Sequence, residues 1–266
     1  NTTASNNVAV GYQAGFSNTT GTQNTALGRV AMQTNTTGNY NVSVGSVALY
    51  YNTTGSNNVA LGTQALNNNT TASNNTAVGY QAMLSNTTGA VNAAFGRETL
   101  ASNTTGQSNT AFGTNALYSN TTTNFSTAVG YQAGYSNTGD AYMTAVGSQA
   151  LYSNTTGSFN SALGRNALYN NTTANQNTAV GYESSRYSTT GSDNVSMGFR
   201  SLYNNTTAGS NTAVGHEAGY TNTTSQYNAF FGRQAGYYAT GGANTFIGQQ
   251  AGVTVTSGGG NTILGR

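Results

Sequence analysis

The chain has 266 residues, room for one or two ordinary domains. Only 5% are charged, against roughly 25% in an average globular protein, and the net charge of +2 rests on seven Arg against five acids. This excludes a nucleic-acid footprint, which needs clustered Lys and Arg, while the absence of Cys and Lys excludes disulfides, Cys zinc sites, thiol nucleophiles and Schiff-base lysines.

No run of about 20 apolar residues exists that could insert in a membrane as a helix. The sequence opens without a signal peptide or an initiator Met, as expected of a mature form or a piece of something longer. It holds 39 Asn and 46 Thr, about a third of its length, with no Pro.

Along the chain an apolar-Gly pair recurs with a fixed period. The glycines are Gly11, Gly28, Gly45, Gly62, Gly79, Gly96, Gly113, Gly130, Gly147, Gly164, Gly181, Gly198, Gly215 and Gly232, each 17 residues after the last. Gly248 follows after 16 and Gly265 after 17, which makes 16 repeats with one deletion. A disordered tract tolerates insertions freely, so a fixed count means equivalent positions in space. The repeat reads Asn-Thr-Thr-Gly-Ser-Asn-Asn-Thr-Ala-Val-Gly-Tyr-Gln-Ala-Leu-Tyr-Ser.

Asn, Thr and Gly are poor helix formers. The segment before each Gly, such as Asn75 to Val78, predicts a short strand. Gln81 to Leu84 predicts a second, and Asn-Thr-Thr-Gly is turn chemistry. One repeat is then one coil of an all-β parallel solenoid, or β-roll, of about 16 coils stacked about 4.8 Å apart, a rod of roughly 75 Å. Residues 1–238 form the regular array. Residues 239–266 form divergent, Gly-rich terminal coils of the same solenoid, and the last stops mid-coil.

The columns carry the expected roles. The residue before the Gly is apolar in all 16 copies and is expected to stack inside. The residue three after it is Ala in 12 of 15 copies, replaced by Thr99, Ser184 and Ser201. The residue four before it is Asn in 14 of 16, as at Asn7, Asn24, Asn41 and Asn58, and predicts an amide ladder along the axis. The Gly suits φ > 0 or close backbone approach. Tyr118, Tyr135, Tyr152 and Tyr169 share a column, as do Tyr203, Tyr220 and Tyr237, and predict aromatic stacks. The apolar load per coil is small against the entropy of ordering it, so association of several chains is expected.

The unit Asn-Thr-Ala-Val-Gly-Tyr-Gln-Ala resembles the head repeat of trimeric autotransporter adhesins, on Asn75, Ala77, Val78, Gly79 and Ala82 and their equivalents, and similar repeats in phage tail-fibre-like proteins. The resemblance implies a left-handed β-roll, three chains side by side, and surface attachment. The coil here is longer than that family's, at the Asn-Thr-Thr-Gly turn, and the Val of its pattern is often Thr, as at Thr76 and Thr127. A single-chain or filamentous solenoid is the alternative assembly.

Asn-Thr-Thr begins repeats at Asn1, Asn18, Asn35, Asn52, Asn69, Asn86, Asn103, Asn120, Asn154, Asn171, Asn205 and Asn222. Each fits the N-glycosylation acceptor pattern and is expected on a line of exposed turns. The same residues also suit turns through side-chain-to-backbone hydrogen bonds. Arg29, Arg97, Arg165 and Arg233 follow the Gly at four-coil intervals, about 19 Å apart on a straight rod. At that spacing they act nearly independently, as solubility charges rather than a polyanion site.

Glu183 and Glu217 share a column two coils apart, about 9.6 Å. That is the far edge of the separation used by inverting glycosidases, with His216 and Arg186 near in sequence. The pair reads as loop drift, with nothing to bury the carboxylates or shift their pKa. Calcium solenoids need an Asp in each repeat, and here only Asp140 and Asp193 occur. Ice-binding solenoids carry Thr-x-Thr on a flat face, whereas the Thr pair here is adjacent.

The sequence thus reads as a non-catalytic, cofactor-free, extracellular or cell- or virion-surface adhesin-head or fibre segment. It self-associates as a homotrimer or filament and meets cell-surface, matrix or glycan ligands, not nucleic acid. The alternative is a purely structural, glycosylated, self-assembling filament.

Overall fold

The computed structural model of the protein describes residues 3–139 and 142–266. The chain forms two compact units, residues 1–132 and 133–266. Among the described residues there is no helix, and each unit carries eight three-residue strands. The first unit runs from β1 (Val8–Val10) to β8 (Thr127–Val129), the second from β9 (Thr144–Val146) to β16 (Thr262–Leu264).

Within each unit every strand pairs in parallel with the next. The partners are equivalent residues, as in Thr76↔Ala93 and Thr178↔Val195. The offset is 17 throughout except at Ala229↔Thr245, where the one deletion is absorbed without loss of pairing. The chain is therefore an all-β parallel solenoid with one strand per coil.

Two expectations are corrected by the interior. The first is the apolar residue before each Gly, which faces outward. Val10 is 55% exposed, Leu163 51% and Ile247 43%, and Val78 is half-buried. Side chains alternate along a strand, so a three-residue strand can turn either its centre or its two flanks inward. The centre is the small residue, as at Ala60, Ala77 and Ala94, and these are fully buried. The coil is thin, and the small residue meets a Leu or Met arriving from its other side, as Leu66 and Met83 do.

The second correction concerns Gln81–Leu84, which is a turn segment rather than a strand. Gln81 and Met83 adopt φ of +54° and +53°, and every coil with a full turn repeats this left-handed pair. Ala82 and Met83, adjacent in sequence, are both fully buried, which a straight strand forbids. Coil-to-coil bonding continues nonetheless: the Gln81 N–H donates to Thr63 O (3.0 Å) and the Met83 N–H to Thr99 O (2.9 Å).

The stacking explains the invariant Gly. Gly79 has φ +138°, and a Cβ there would sit 2.3 Å from Gly96 O of the next coil. Near the end of the second unit the interior exchanges volume across the coil. Where the inward strand residue grows to Phe230 or Phe246, the opposing position shrinks to Gly236 or Gly252. A Cβ at either glycine would meet the ring at about 2.5 Å or less, so large and small residues interdigitate.

Two Asn columns line the rest of the interior. In the column four before the Gly, the Asn41 backbone N–H donates to Asn24 Oδ1 (2.9 Å), and Asn41 Nδ2 donates to Gly55 O (2.8 Å). The ladder therefore runs through side chain and main chain together, and at Asn58, Asn194, Asn211 and Asn261 the amide also donates directly to the amide oxygen one coil back. Ser126 and Met143 interrupt this column.

Candidate functional site

The second Asn column is made of the sequon residues. Asn18, Asn35, Asn52, Asn69, Asn86, Asn103, Asn120, Asn154, Asn171, Asn205 and Asn222 are all buried, which corrects the expected line of exposed acceptors; Asn1 lies outside the described residues. In Asn86 both Nδ2 protons are committed, to Asn69 Oδ1 (3.0 Å) and Gly89 O (2.9 Å). The rung repeats at Asn52, Asn69 and Asn103. A sugar on Nδ2 would occupy the core of the coil. The turn needs its Asn to satisfy the carbonyl three residues on, and that bond draws the side chain inward. Of the two Thr that follow, the second stands exposed, as at Thr37, Thr54 and Thr88.

The four arginines lie on the surface. Arg97 pairs with Glu98 (2.9 Å), and the Arg165 guanidinium stands 5.7 Å from the Tyr182 ring centroid. Arg29 and Arg233 are exposed. Among the described residues no group of three His, Cys, Asp or Glu could hold a metal. Asp193 is exposed at φ +61°, and Asp140 lies outside the described residues.

The acidic column differs from its expected state. The Glu183 side chain is only 3% exposed and is gripped by Arg186 and by Arg200 Nε (2.8 Å), which corrects the reading of an unburied carboxylate. Burial by itself raises its pKa. The Arg200 hydrogen bond and the Arg186 and Arg200 charges outweigh that, so the carboxyl lies below its ordinary range. Glu217 accepts from Gln234 Nε2 (3.0 Å), with His216 Nδ1 3.5 Å away. Both glutamates take part in a zipper two residues after the Gly, where Gln81 Nε2 also donates to Gln64 Oε1 (2.8 Å). Arg200 was not singled out from the sequence; its position one coil after Glu183 in that column was the available signal.

Aromatic residues stack as the coils do. Tyr135, Tyr152 and Tyr169 have successive ring centroids 5.2 and 5.1 Å apart, and Tyr203, Tyr220 and Tyr237 5.1 and 4.9 Å. Arg186 replaces Tyr in this column, with its guanidinium 5.6 Å from the Tyr169 centroid. The displaced Tyr187 stands edge-on to Tyr203 at 5.1 Å.

The coil holding Arg186, with the start of the next, departs from the repeat in its interior side chains. Ser184, Ser185, Ser196 and Ser201 fill interior positions that other coils give mostly to Ala and Leu. Their hydroxyls bond one another, Ser184 to Ser196 at 2.7 Å, Ser185 to Ser196 at 2.8 Å and Ser184 to Ser201 at 3.0 Å.

Each unit also carries an outward strand face. Leu27, Leu61, Phe112 and Val129 in the first unit, and Leu163, Met197, Phe231 and Ile247 in the second, are exposed in one column. The fold and this surface define a β-solenoid repeat protein. No protein-family model, curated protein or solved structure matches the chain.

Proposed function

We propose that the chain is a non-catalytic, extracellular fibre segment of the adhesin-head kind, a left-handed roll that stands beside copies of itself in a homotrimer and displays a repetitive surface for attachment. The observation that carries this reading is the outward apolar column. Monomeric proteins rarely leave an apolar patch larger than a few hundred Å2 in water, whereas here each coil adds one Val, Leu, Phe, Met or Ile to the same stripe. The interior, mostly Ala, one Leu or Met and amides, gives each coil little apolar burial of its own. Covering the stripe with a second and third copy supplies the missing burial, and a threefold arrangement leaves the turns outward for contact. Many identical weak contacts then sum by multivalency.

Electron microscopy and surface-binding assays test this. Discrete particles that bind cell-surface or matrix material are the expected result. Chains joined end to end in filaments that bind none of it would favour the structural filament instead.

A further inference from the structure

The coil that begins at Gly181 weakens its own interior. Its segment Glu183-Ser184-Ser185-Arg186-Tyr187-Ser188 stands where the coil at Gly147 has Gln149-Ala150-Leu151-Tyr152-Ser153-Asn154. Replacing the core Leu by Ser185 gives up the burial of an apolar side chain. Replacing the ladder Asn by Ser188 leaves Ser188 Oγ and Asn171 Oδ1 buried without hydrogen-bond partners, and Arg186 Nε is buried unpaired as well. A repeat that departs from its rule at several columns of one coil marks a position shaped for something other than stability.

On the outside of this coil and its neighbours lies a groove of about 450 Å3, lined by Tyr187 of that segment. Asn170, Tyr187, Asn204 and Thr221 form one side and Thr189, Thr206 and Thr223 the other. In the five coils before these, the column of Asn170 holds Ser at Ser85, Ser102, Ser119, Ser136 and Ser153, and further back it holds Tyr51 and Asn68. Tyr187 is 38% exposed and held in place by Tyr203 and by the Arg186 guanidinium, 5.6 Å from its centroid. The threonine hydroxyl protons are already committed: Thr189 Oγ1 donates to Thr206 O (3.0 Å) and Thr206 Oγ1 to Thr223 O (3.1 Å). Their oxygens therefore offer lone pairs to a ligand's hydroxyls, spaced one coil apart, about 4.8 Å. The two Asn amides offer donors as well as acceptors. No ionised side chain lines the groove.

We propose that this groove binds a neutral oligosaccharide lying along the solenoid axis. A fixed aromatic ring suits the C–H face of a pyranose, and a row of acceptors and amides suits its hydroxyls. A nucleic acid or polyanion would need cations in the lining. A β-strand peptide would need free main-chain groups, which coil-to-coil bonds occupy at Thr189 and Tyr187.

The proposal rests on the attachment reading, and titration separates the two. Cellohexaose, chitohexaose and maltohexaose are titrated calorimetrically into the 266-residue chain. At least one is expected to bind at about millimolar Kd or tighter, Tyr187→Ala to weaken it about tenfold or more, and Tyr187→Phe to retain it. Tyr131→Ala, an exposed tyrosine in a different column of the first unit, is expected to leave binding unchanged. Binding by none of the three, binding unaltered in Tyr187→Ala, or preference for a heparin hexasaccharide would overturn the groove. If Tyr187→Ala chains also adhere to a polysaccharide-coated surface as the wild type does, the groove fails while the attachment reading stands.

Discussion

The coil from Gly62 to Val78 in the first unit and the coil from Gly181 to Met197 in the second follow the same backbone path with opposite interiors. The first buries Ala65, Leu66 and Ala77, and Asn69 spans from Asn52 Oδ1 (2.8 Å) to Ala72 O (3.0 Å). The second buries Ser184, Ser185 and Ser196 and has Ser188 in place of the ladder Asn. Both keep the Gly with φ above +130° and both keep the left-handed pair, Gln64 and Leu66 in one, Glu183 and Ser185 in the other. The path is thus set by the Gly, the left-handed positions and the coil-to-coil bonds. Apolar content is exchangeable when the replacing hydroxyls satisfy one another. The amide ladder is not exchangeable in that way, because a serine is too short to reach both of its partners.

That comparison can be broken in order of effect. The largest is expected from Gly79→Ala in a regular coil, about 4 kcal/mol or more, since the new Cβ meets Gly96 O at a backbone angle L-residues rarely adopt. Hydrogen exchange should show the neighbouring coils opening; protection equal to wild type would mean the coils are not stacked this closely. Next, Asn86→Ala removes the bonds to Asn69 Oδ1 and Gly89 O and leaves Asn103 Nδ2 with one acceptor, Gly106 O, instead of two. A loss of about 3 kcal/mol in urea titration is expected, and a loss below about 1 would remove the ladder from the account. In the irregular coil the sign reverses. Ser188→Asn restores the rung to Asn171 Oδ1 and is expected to stabilise by about 1–2 kcal/mol; destabilisation would show that the gap is shaped for serine.

The smallest effect sharpens the electrostatics. The folded Glu183 pKa lies below its ordinary value of 4.5. Its contribution is therefore complete above that value and disappears as pH falls through the folded pKa. Urea midpoints of wild type and Glu183→Gln should differ at pH 7 and converge in acid. A gap that stays constant as pH falls would contradict the ionised Glu183 between Arg186 and Arg200.

Much of the fold was legible because a solenoid writes each spatial column as a sequence period. The 17-residue step, the parallel stacking and the Asn and Tyr columns followed from residue identity alone. Which side of the strand faces in did not. Thr76-Ala77-Val78 presents Val as the strongest apolar signal, yet a coil thin enough to close on Leu66 and Met83 admits only the methyl of Ala77. The second strand failed for a related reason: Gln81 and Met83 are not residues that mark left-handed backbone, and the available signal was the glycine that recurs in the Met83 column at Gly15, Gly134, Gly219, Gly236 and Gly252. The sequon reading failed because an acceptor pattern records residue types and not direction, and Asn86 points inward to bond Gly89 O. Glu183 looked like drift because its partner Arg200 is 17 residues away and becomes a neighbour only once the coils stack.

The central claim is that the alternating strand turns its apolar flank outward to meet other copies of the chain. Its most direct test is sedimentation velocity of Leu163→Glu/Met197→Glu, two exposed residues of that flank, beside the wild type. The variant is expected to keep wild-type circular dichroism and fall to the single-chain mass of 27.2 kDa, while the wild type sediments as a multiple of it. A variant that unfolds would place these side chains in the core, and one that stays as heavy as the wild type would place the interface elsewhere.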